Sequence, residues 1–461
     1  MNPVAIIGGG ISGLTAGFYL KRAGVPVVLL ESSSRVGGAI QSIRQDGYLA
    51  ESGPNTILET SPKITQLIRD AGIESRRIES DPKAGARYLV RYGRAIPMPE
   101  SPLGFLFTEL FTVKAKLAVL GEPFVPARCD GGEESIADFV VRRLGREFLD
   151  HAVDAMVGGV YAGDPARLSV SQAFPKLADL ENKYGSLIKG SILGGRDRKK
   201  RGEIAKDRAP KFSFDEGLQV LPDALSESLG ESVHLGTLVT RVAKTSDGWR
   251  LTLRFGEAES VLEASSVIYA GTAHKLAELK LESLDEPVDL SPFAEVRYPP
   301  VASVVLGYRR EDVAHHCQGF GALIPKVEGF SILGTIFSSS LFPNRAPEGH
   351  VTLTSYIGGE RSPGLALLPP EEIYELVAHD LRLLFGVKGT PTFRHCKIYP
   401  KAIPQYTIGY GRYRELMDEI ERRAPSFYFT GQYRDGISLS DSILSGCKIA
   451  ERVEKALCFI Q

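Results

Sequence analysis

An α/β fold, with a parallel nucleotide-type sheet interrupted by a helical insertion and a mixed-sheet domain, is predicted by three observations. The first is a strand-length apolar run, Val4 to Ile7, that feeds the turn Gly8-Gly9-Gly10-Ile11-Ser12-Gly13 and a helix-like stretch from Leu14 to Ala23. The second is another apolar run, Val27 to Leu30, that ends in the acid Glu31. The third is a change of period along the chain. Helical spacing dominates from about Pro97 to Pro210, and strand-like alternation from about Leu290 to Tyr399.

Each part of the first unit has a physical reason. Gly8 permits a tight turn, Gly10 lets backbone approach a pyrophosphate, and Gly13 lets helix and strand pack closely. The helix start presents unpaired N–H groups and the positive end of its dipole to phosphate. Glu31 is placed to accept from ribose hydroxyls and disfavours a 2′-phosphate, so FAD or NAD is expected rather than NADP. Arg35-Val36-Gly37-Gly38 follows, adding a cation near the pyrophosphate and a second glycine pair where backbone passes the cofactor. This extension resembles the fingerprint of the amine-oxidase-like flavoproteins, which points to FAD and a Rossmann-like FAD-binding domain.

Composition narrows the function classes. A chain of 461 residues exceeds the size at which one core stops growing, so two or three domains are expected. A net charge of −1, with no arginine tract interleaved with aromatics, excludes nucleic acid as a partner. Cys129, Cys317, Cys396, Cys447 and Cys458 are scattered without CxxC spacing and read as reduced cytosolic thiols. No metal site is expected, and His315-His316 reads as a surface loop pair. No basic, apolar leader precedes the first strand, and no uncharged run is long enough to span a bilayer. Any membrane contact is therefore expected from one side.

Beyond Glu51-Ser52, the sequence Gly53-Pro54-Asn55-Thr56 marks a turn that presents an amide and a hydroxyl. Ala86 to Val90 reads as a strand carrying Arg87, either a surface residue or a carboxylate clamp. Ser135 caps an amphipathic helix. Pro102 to Leu120 carries Leu103, Phe105, Leu106, Phe107, Leu110, Phe111, Leu117 and Leu120, a stripe of core type with a lipid-facing role as the alternative. The run Arg196 to Arg201 (RDRKKR) reads as a solvated loop. Ser232 to Val242, Trp249 to Phe255 and Ser266 to Tyr269 read as β segments returning to the nucleotide domain, and Ser426 to Gly431 as a last strand before a glycine turn and terminal helix. In the second insertion, strands are expected at Val301 to Tyr308, Gly321 to Pro325, Ser331 to Phe337 and His350 to Ile357, with a helix near Glu371 to Phe385. The expected division is residues 1–80, 213–288 and 401–461 for the FAD-binding domain, 81–98 and 289–400 for the substrate domain, and 99–212 for the helical insertion.

GGGISGL with ESSSRVGG, SGPNT, VYAGDPARLS, GFGALIP (Gly319 to Pro325), IPQY and GISLSDSILSG occur in that order. Together they resemble the protoporphyrinogen oxidase family of haem biosynthesis across essentially the whole chain, with YAGDPxxLS and IPQY the most specific. The resemblance implies a GR2/amine-oxidase type of FAD-binding domain and a membrane-associating role for the helical insertion. It implies that Phe320, Leu323 and Ile336 sandwich a tetrapyrrole, that Arg87 meets a propionate, and that Gly158 and Gly159 present backbone to the pyrrole N–H groups. Asn55 matches a position beside the flavin and orients substrate.

The implied cofactor contacts are Gly8, Gly9, Gly10, Ile11, Ser12, Gly13, Glu31, Ser32, Arg35, Gly38 and Ala39. They continue with Gly53, Pro54, Asn55, Thr56 and Val239, and end with Gly431, Gly436, Ile437, Ser438 and Leu439. One non-covalent FAD per chain is implied, since Cys447 lies inside the terminal helix, past the stretch that meets the flavin. The implied activity is oxidation of protoporphyrinogen IX to protoporphyrin IX with oxygen as acceptor, the flavin carrying the chemistry and no catalytic side chain assigned.

The alternatives are coproporphyrinogen III, whose extra propionates call for cations such as Arg91 and Arg94, and an amine oxidase. Gln432 stands where amine oxidases carry Glu, and Tyr406 has no evident partner for their aromatic pair. A non-enzymatic escort is disfavoured by the intact glycines and acid. The expected setting is a cytoplasmic monomer or homodimer, with peripheral lipid contact on the cytoplasmic face of the membrane.

Overall fold

The protein is described from a computed structural model that covers residues 2–128, 131–200, 209–283 and 286–458, without the side chains of 195–200 and 286. Cys129 and the side chains of the basic run from Arg196 to Arg201 lie outside the described residues. Its first layer is a five-stranded parallel sheet in the order Val233–His234, Val27–Leu30, Val4–Ile7, Ser266–Tyr269, Phe427–Phe429. Strands from the beginning, middle and end of the chain thus make one sheet. The central strands Val4–Ile7, Val27–Leu30 and Ser266–Tyr269 are apolar, with almost no polar alternation, which suits parallel strands covered on both faces.

Helix Ile11–Arg22 lies against the terminal helix Leu439–Cys458 and against Val220–Leu229. Backbones meet closely there. A Cβ at Gly446 would stand 2.6 Å from the Ser12 carbonyl oxygen. Of the returning β segments, Val233–His234 and Ser266–Tyr269 enter the parallel sheet. Leu238–Thr245 and Gly248–Phe255 instead form a separate mixed sheet with Ala258–Ala264, Lys280–Ser283 and Glu286–Val288, in which Leu238–Thr245 and Lys280–Ser283 run parallel.

The second layer is a seven-stranded mixed sheet, ordered Phe393–Tyr399, Val301–Arg309, His350–Gly358, Ile332–Phe337, Gly321–Leu323, Arg87–Arg91, Arg94–Pro97. Arg87 is in parallel register with Gly321, so the early strand joins the later domain. Helix Pro370–Phe385 buries Ile373, Val377, Leu381 and Phe385 in the core cluster that contains Val304, Leu306 and Tyr308 of this sheet.

Helices fill the insertion: Pro102–Phe107, Val113–Gly121, Ile136–Leu144, Asp154–Tyr161, Pro175–Tyr184 and Leu187–Lys200. The Ser135 hydroxyl accepts from the Asp138 N–H at 3.0 Å, the cap that the sequence predicts. Wholly buried Arg143 bridges Glu122 and Glu181, while Glu122 accepts from the Ser186 hydroxyl and the Leu187 and Ile188 N–H groups at the next helix start. The Pro102–Leu120 stripe is divided: Leu110 and Phe111 are buried, whereas Leu103, Phe107 and Leu117 face solvent. His315 corrects the surface-pair expectation. It packs against Phe337 and Phe385, accepts from the Cys317 N–H, and burial pushes its imidazole down to about 4.

One buried ion pair ties the loop before His350–Gly358 to a two-stranded hairpin, Ser42–Gln45 with Tyr48–Glu51. Arg345, on the mixed-sheet side, lies 3.8 Å from the Glu51 carboxylate, which also accepts from the Ser42 hydroxyl and the Leu218 N–H. Burial is the largest influence on Glu51 and, against the pull of Arg345, raises its pKa to about 7. The folded protein thus keeps a proton that the unfolded chain loses at lower pH. The stability contribution of Glu51 is full below the ordinary carboxylate range and is lost as pH rises through about 7. Accordingly, the melting-temperature difference between wild type and Glu51→Gln should shrink or reverse from about pH 5 to about pH 8. Parallel melting curves across that range would show that Glu51 is ionised throughout.

Candidate active site

The nucleotide cradle is built by close backbone approach. Gly8 adopts φ 112°, and a Cβ there would lie 2.9 Å from the Ala270 carbonyl carbon. A Cβ at Gly13 would lie 2.1 Å from the Gly8 oxygen, so helix and strand leave no room for a side chain. Gly10 differs: among the described residues, its chain neighbours aside, no atom comes within 4 Å of where its Cβ would be. Its lack of a side chain therefore answers no packing demand of the protein, which fits a phosphate lying against the turn.

Glu31 anchors the other end. Its Oε2 accepts from the Gly9 N–H at 2.7 Å, and its Oε1 from the N–H and hydroxyl of Ser33 at 2.8 and 2.7 Å. Oε2, with a single donor, retains a lone pair for a ribose hydroxyl, whereas Ser33 takes both lone pairs of Oε1. Ser32 is exposed beside it. The Gly236 N–H donates to the Ser33 oxygen and Thr237 to the Glu31 oxygen, which brings buried Val239 to this end of the cradle.

Arg35, expected at the pyrophosphate, also shapes its own loop. Its guanidinium donates to the carbonyls of Val36, Ile40 and Gly38 at 3.0, 2.8 and 2.5 Å. That loop is drawn in by the Gly37 N–H, which donates to the Gly9 oxygen at 2.8 Å. Ala39 then passes Gly53, where a Cβ would be 2.2 Å from the Ala39 oxygen.

At the C-terminal end, Gly436 has φ 128° and leaves room for Asp441, whose carboxylate accepts from the Ser438 hydroxyl at 2.6 Å. Ser438 in turn accepts from the Asp441 N–H at 3.1 Å. Ile437 accepts from the Gln432 amide, and Leu439 opens the helix. The Ser445 hydroxyl accepts from the Gly431 N–H at 3.1 Å, and the Ser12 hydroxyl donates to the Ser442 oxygen at 2.8 Å. Two helix starts, at Ile11 and Leu439, are thereby held side by side.

The mixed sheet meets this cradle at Gly53-Pro54-Asn55-Thr56. The Asn55 amide donates to the Tyr356 hydroxyl at 2.7 Å, Tyr356 donates to the Gly53 oxygen at 3.0 Å, and Ser338 donates to the Asn55 Oδ1 at 3.4 Å. Both ends of the amide are engaged. Tyr356 and Ser338 were missed by sequence reasoning, because strand alternation tells which residues are buried but not what they touch. His395, whose imidazole burial pushes down, shares a 2.9 Å hydrogen bond with Ser52 and was missed for the same reason.

The substrate candidates fall into two adjoining groups. Arg87 lies 6.0 Å from the Phe320 ring centre, and Phe320 and Ile336 share a cluster with Leu341 and Phe342. The Phe320 N–H donates to the Ala86 oxygen, so the ring and the cation come from hydrogen-bonded backbone. Leu323 belongs to the second group: a Cβ at Gly159 would lie 2.4 Å from its Cδ2. Gly158 faces Arg361, which donates to Asp154 and to the Ile324 oxygen, each at 3.0 Å, a pair with no sequence signal.

The two distinctive motifs join three parts of the chain. Gln405 donates to the Tyr161 oxygen at 2.8 Å, the Ser169 N–H to the Tyr406 oxygen at 2.9 Å, and the Tyr406 hydroxyl to the Gln432 oxygen. Tyr406 is buried and packs on Tyr410, with ring centres 4.6 Å apart.

A dinucleotide cradle, closed by a mixed sheet that presents aliphatic and aromatic side chains and a cation, defines a flavin-dependent oxidoreductase. Comparison with known proteins agrees. The model of the family described as flavin containing amine oxidoreductase matches residues 11–454, and the chain belongs to that family, with FAD as its cofactor. Protoporphyrinogen oxidase 2, chloroplastic/mitochondrial, of Arabidopsis thaliana is 33% identical over 98% of this chain and 93% of its own. Coproporphyrinogen III oxidase of Bacillus subtilis (strain 168) is 30% identical over 96% of both. A crystal structure from Exiguobacterium sp. 255-15 superposes with a TM-score of 0.82 over 99% of each chain at 22% identity, which shows the shared fold.

Replacing Glu31 by alanine removes the partner of Gly9 and Ser33 together with the carboxylate expected to accept from the ribose. The purified variant should lose at least about nine-tenths of its flavin absorbance per protein, since charge-assisted hydrogen bonds are each worth about 1.5–3 kcal/mol. A variant that keeps stoichiometric flavin would remove Glu31 from the site.

Proposed function

We propose that this protein oxidises protoporphyrinogen IX to protoporphyrin IX. When bound, FAD accepts the electrons, and the chain's own contribution is to bind, orient and desolvate the substrate. Phe320 and Ile336 on one side and Leu323 with the Gly158–Gly159 backbone on the other suit a flat, mostly apolar macrocycle. Arg87 is placed to meet a propionate by a charge-assisted, forked contact. Asn55, held by Tyr356 and Ser338, fixes the floor on which the macrocycle rests beside the flavin.

The observation that carries the choice among porphyrinogens is the fate of the neighbouring arginines. Arg91 is buried against Glu147 at 3.3 Å, and Arg94 is exposed with Glu109 4.0 Å away. Arg91 is thus committed to Glu147 and Arg94 is exposed to solvent, whereas Arg87, beside Phe320, suits the smaller carboxylate set of protoporphyrinogen IX. Porphyrin fluorescence from FAD-loaded protein in air, followed with each porphyrinogen and corrected for autoxidation, tests this choice. Preference for protoporphyrinogen IX is expected, and Arg87→Ala should raise KM about tenfold with a smaller change in kcat. Preference for coproporphyrinogen III would move the function to that substrate, and an unchanged KM would remove Arg87 from the slot.

The helical insertion is the proposed contact with lipid. No helix among the described residues is long and apolar enough to cross a membrane. Phe107 and Phe124, 84% and 86% exposed, stand out from helices that also expose Leu103, Val113, Leu117 and Leu120. Large exposed apolar surface of this kind gains free energy at a headgroup boundary. Wild type should float with phosphatidylcholine–phosphatidylglycerol vesicles, and Phe107→Ser with Phe124→Ser should cut the floating fraction several-fold while activity in detergent persists. Wild type that stays with the soluble fraction would contradict the contact.

A further inference from the structure

A cleft of about 400 Å³ lies where the helical insertion, the mixed-sheet region and the C-terminal segment meet. Its lining includes Arg167, Arg297, Lys401 and Arg412, together with Glu295 and Tyr413. None of these residues belongs to the nucleotide cradle or to the substrate slot. Arg167 is part of VYAGDPARLS, and Thr407, also on the rim, directly follows IPQY. The Ile408 N–H donates to the Arg167 oxygen at 3.0 Å, so the two distinctive motifs build this rim as well as the clamp beneath it.

The charges are arranged as a receptor rather than as a balanced surface. Glu360, almost wholly buried, receives both Arg167 and Arg297, and Glu295 receives Arg412 at 2.5 Å. These pairs use Nη1 of Arg167, Nε of Arg297 and Nη2 of Arg412, which leaves other guanidinium donors of the same groups for a ligand. Lys401 makes no ion pair or hydrogen bond among the described residues, and its field reaches Glu278 and His274. Four cations therefore line the cleft with one carboxylate, Glu295, while Glu360 pairs with two of them from outside the lining, an excess of positive charge that raises the local concentration of anions.

We propose that this cleft binds a small multivalent anion, bearing phosphate or carboxylate groups, at the junction of the three regions. Three arginines held by carboxylates are pre-organised for forked contacts, and Lys401 supplies a mobile point charge. Because its occupant would touch the insertion, the mixed-sheet region and the C-terminal segment together, it would add to the clamp that keeps them in register.

Calorimetric titration of the FAD-loaded full chain at constant ionic strength tests the site. Sodium pyrophosphate is the phosphate arm, and tricarballylate is the carboxylate arm. Saturable binding of one anion per chain is expected in at least one arm, and the arm that binds identifies the source. Lys401→Glu should weaken it about tenfold or more, a loss of about 1.4 kcal/mol per tenfold, with flavin spectrum and melting temperature unchanged. Lys401 supports no ion pair, so neither Lys401→Glu nor Lys401→Ala disturbs the clamp itself. The absence of saturable heat in both arms would overturn the proposal, as would binding by both variants equal to that of wild type.

Discussion

The structure depends on one close approach. Helix Ile11–Arg22 can lie against both the first strand and the last helix only because Gly13 and Gly446 carry no side chain at the contacts. A methyl group at Gly13 would run into the Gly8 carbonyl, and one at Gly446 into the Ser12 carbonyl. With those glycines, two helix starts converge on one region, where their unpaired N–H groups would favour an anion such as phosphate. The parallel sheet that supports them is assembled from strands at both ends of the chain. The nucleotide site therefore forms only when the fold is complete.

The second constraint is how the insertions are kept in register with that cradle. Two devices act. Asn55, Tyr356 and Ser338 join the cofactor-side turn to the mixed sheet by direct hydrogen bonds. Tyr161, Gln405, Tyr406 and Gln432 join the insertion to the C-terminal segment through backbone carbonyls. A buried hydrogen bond that loses one partner costs about 1–3 kcal/mol, so residues with no substrate contact set the shape of the slot. The family-specific stretches thus do positional work, and the chemistry stays with the flavin.

The nucleotide unit was legible because its signals are local: a turn of fixed spacing, an acid at a strand end, a serine cap at Ser135. The strands at Val301, Ile332 and His350 were legible from alternation. Contacts between distant segments were not. Glu51 and Arg345 pair across two domains, and neither carries a local pattern that names the other. The expected cofactor cation Arg35 also spends three of its five donors on carbonyls of its own loop, a contact with no signal in the sequence. The His315–His316 pair lies in a loop with His316 exposed, as expected, but no sequence pattern shows that His315 turns in against Phe337 and Phe385. In the Pro102–Leu120 stripe, apolar spacing could not distinguish Phe111, packed on Phe148, from Phe107, which faces solvent.

The central claim is that a slot shaped for a macrocycle, with Arg87 at its edge, delivers a porphyrinogen to the flavin. Anaerobic mixing of FAD-loaded protein with protoporphyrinogen IX, watched at the oxidised-flavin absorbance band, tests it most directly. The account predicts that the band bleaches as porphyrin absorbance appears, and that a primary amine leaves it unchanged. A flavin that stays oxidised with protoporphyrinogen IX yet is bleached by an amine would contradict the account.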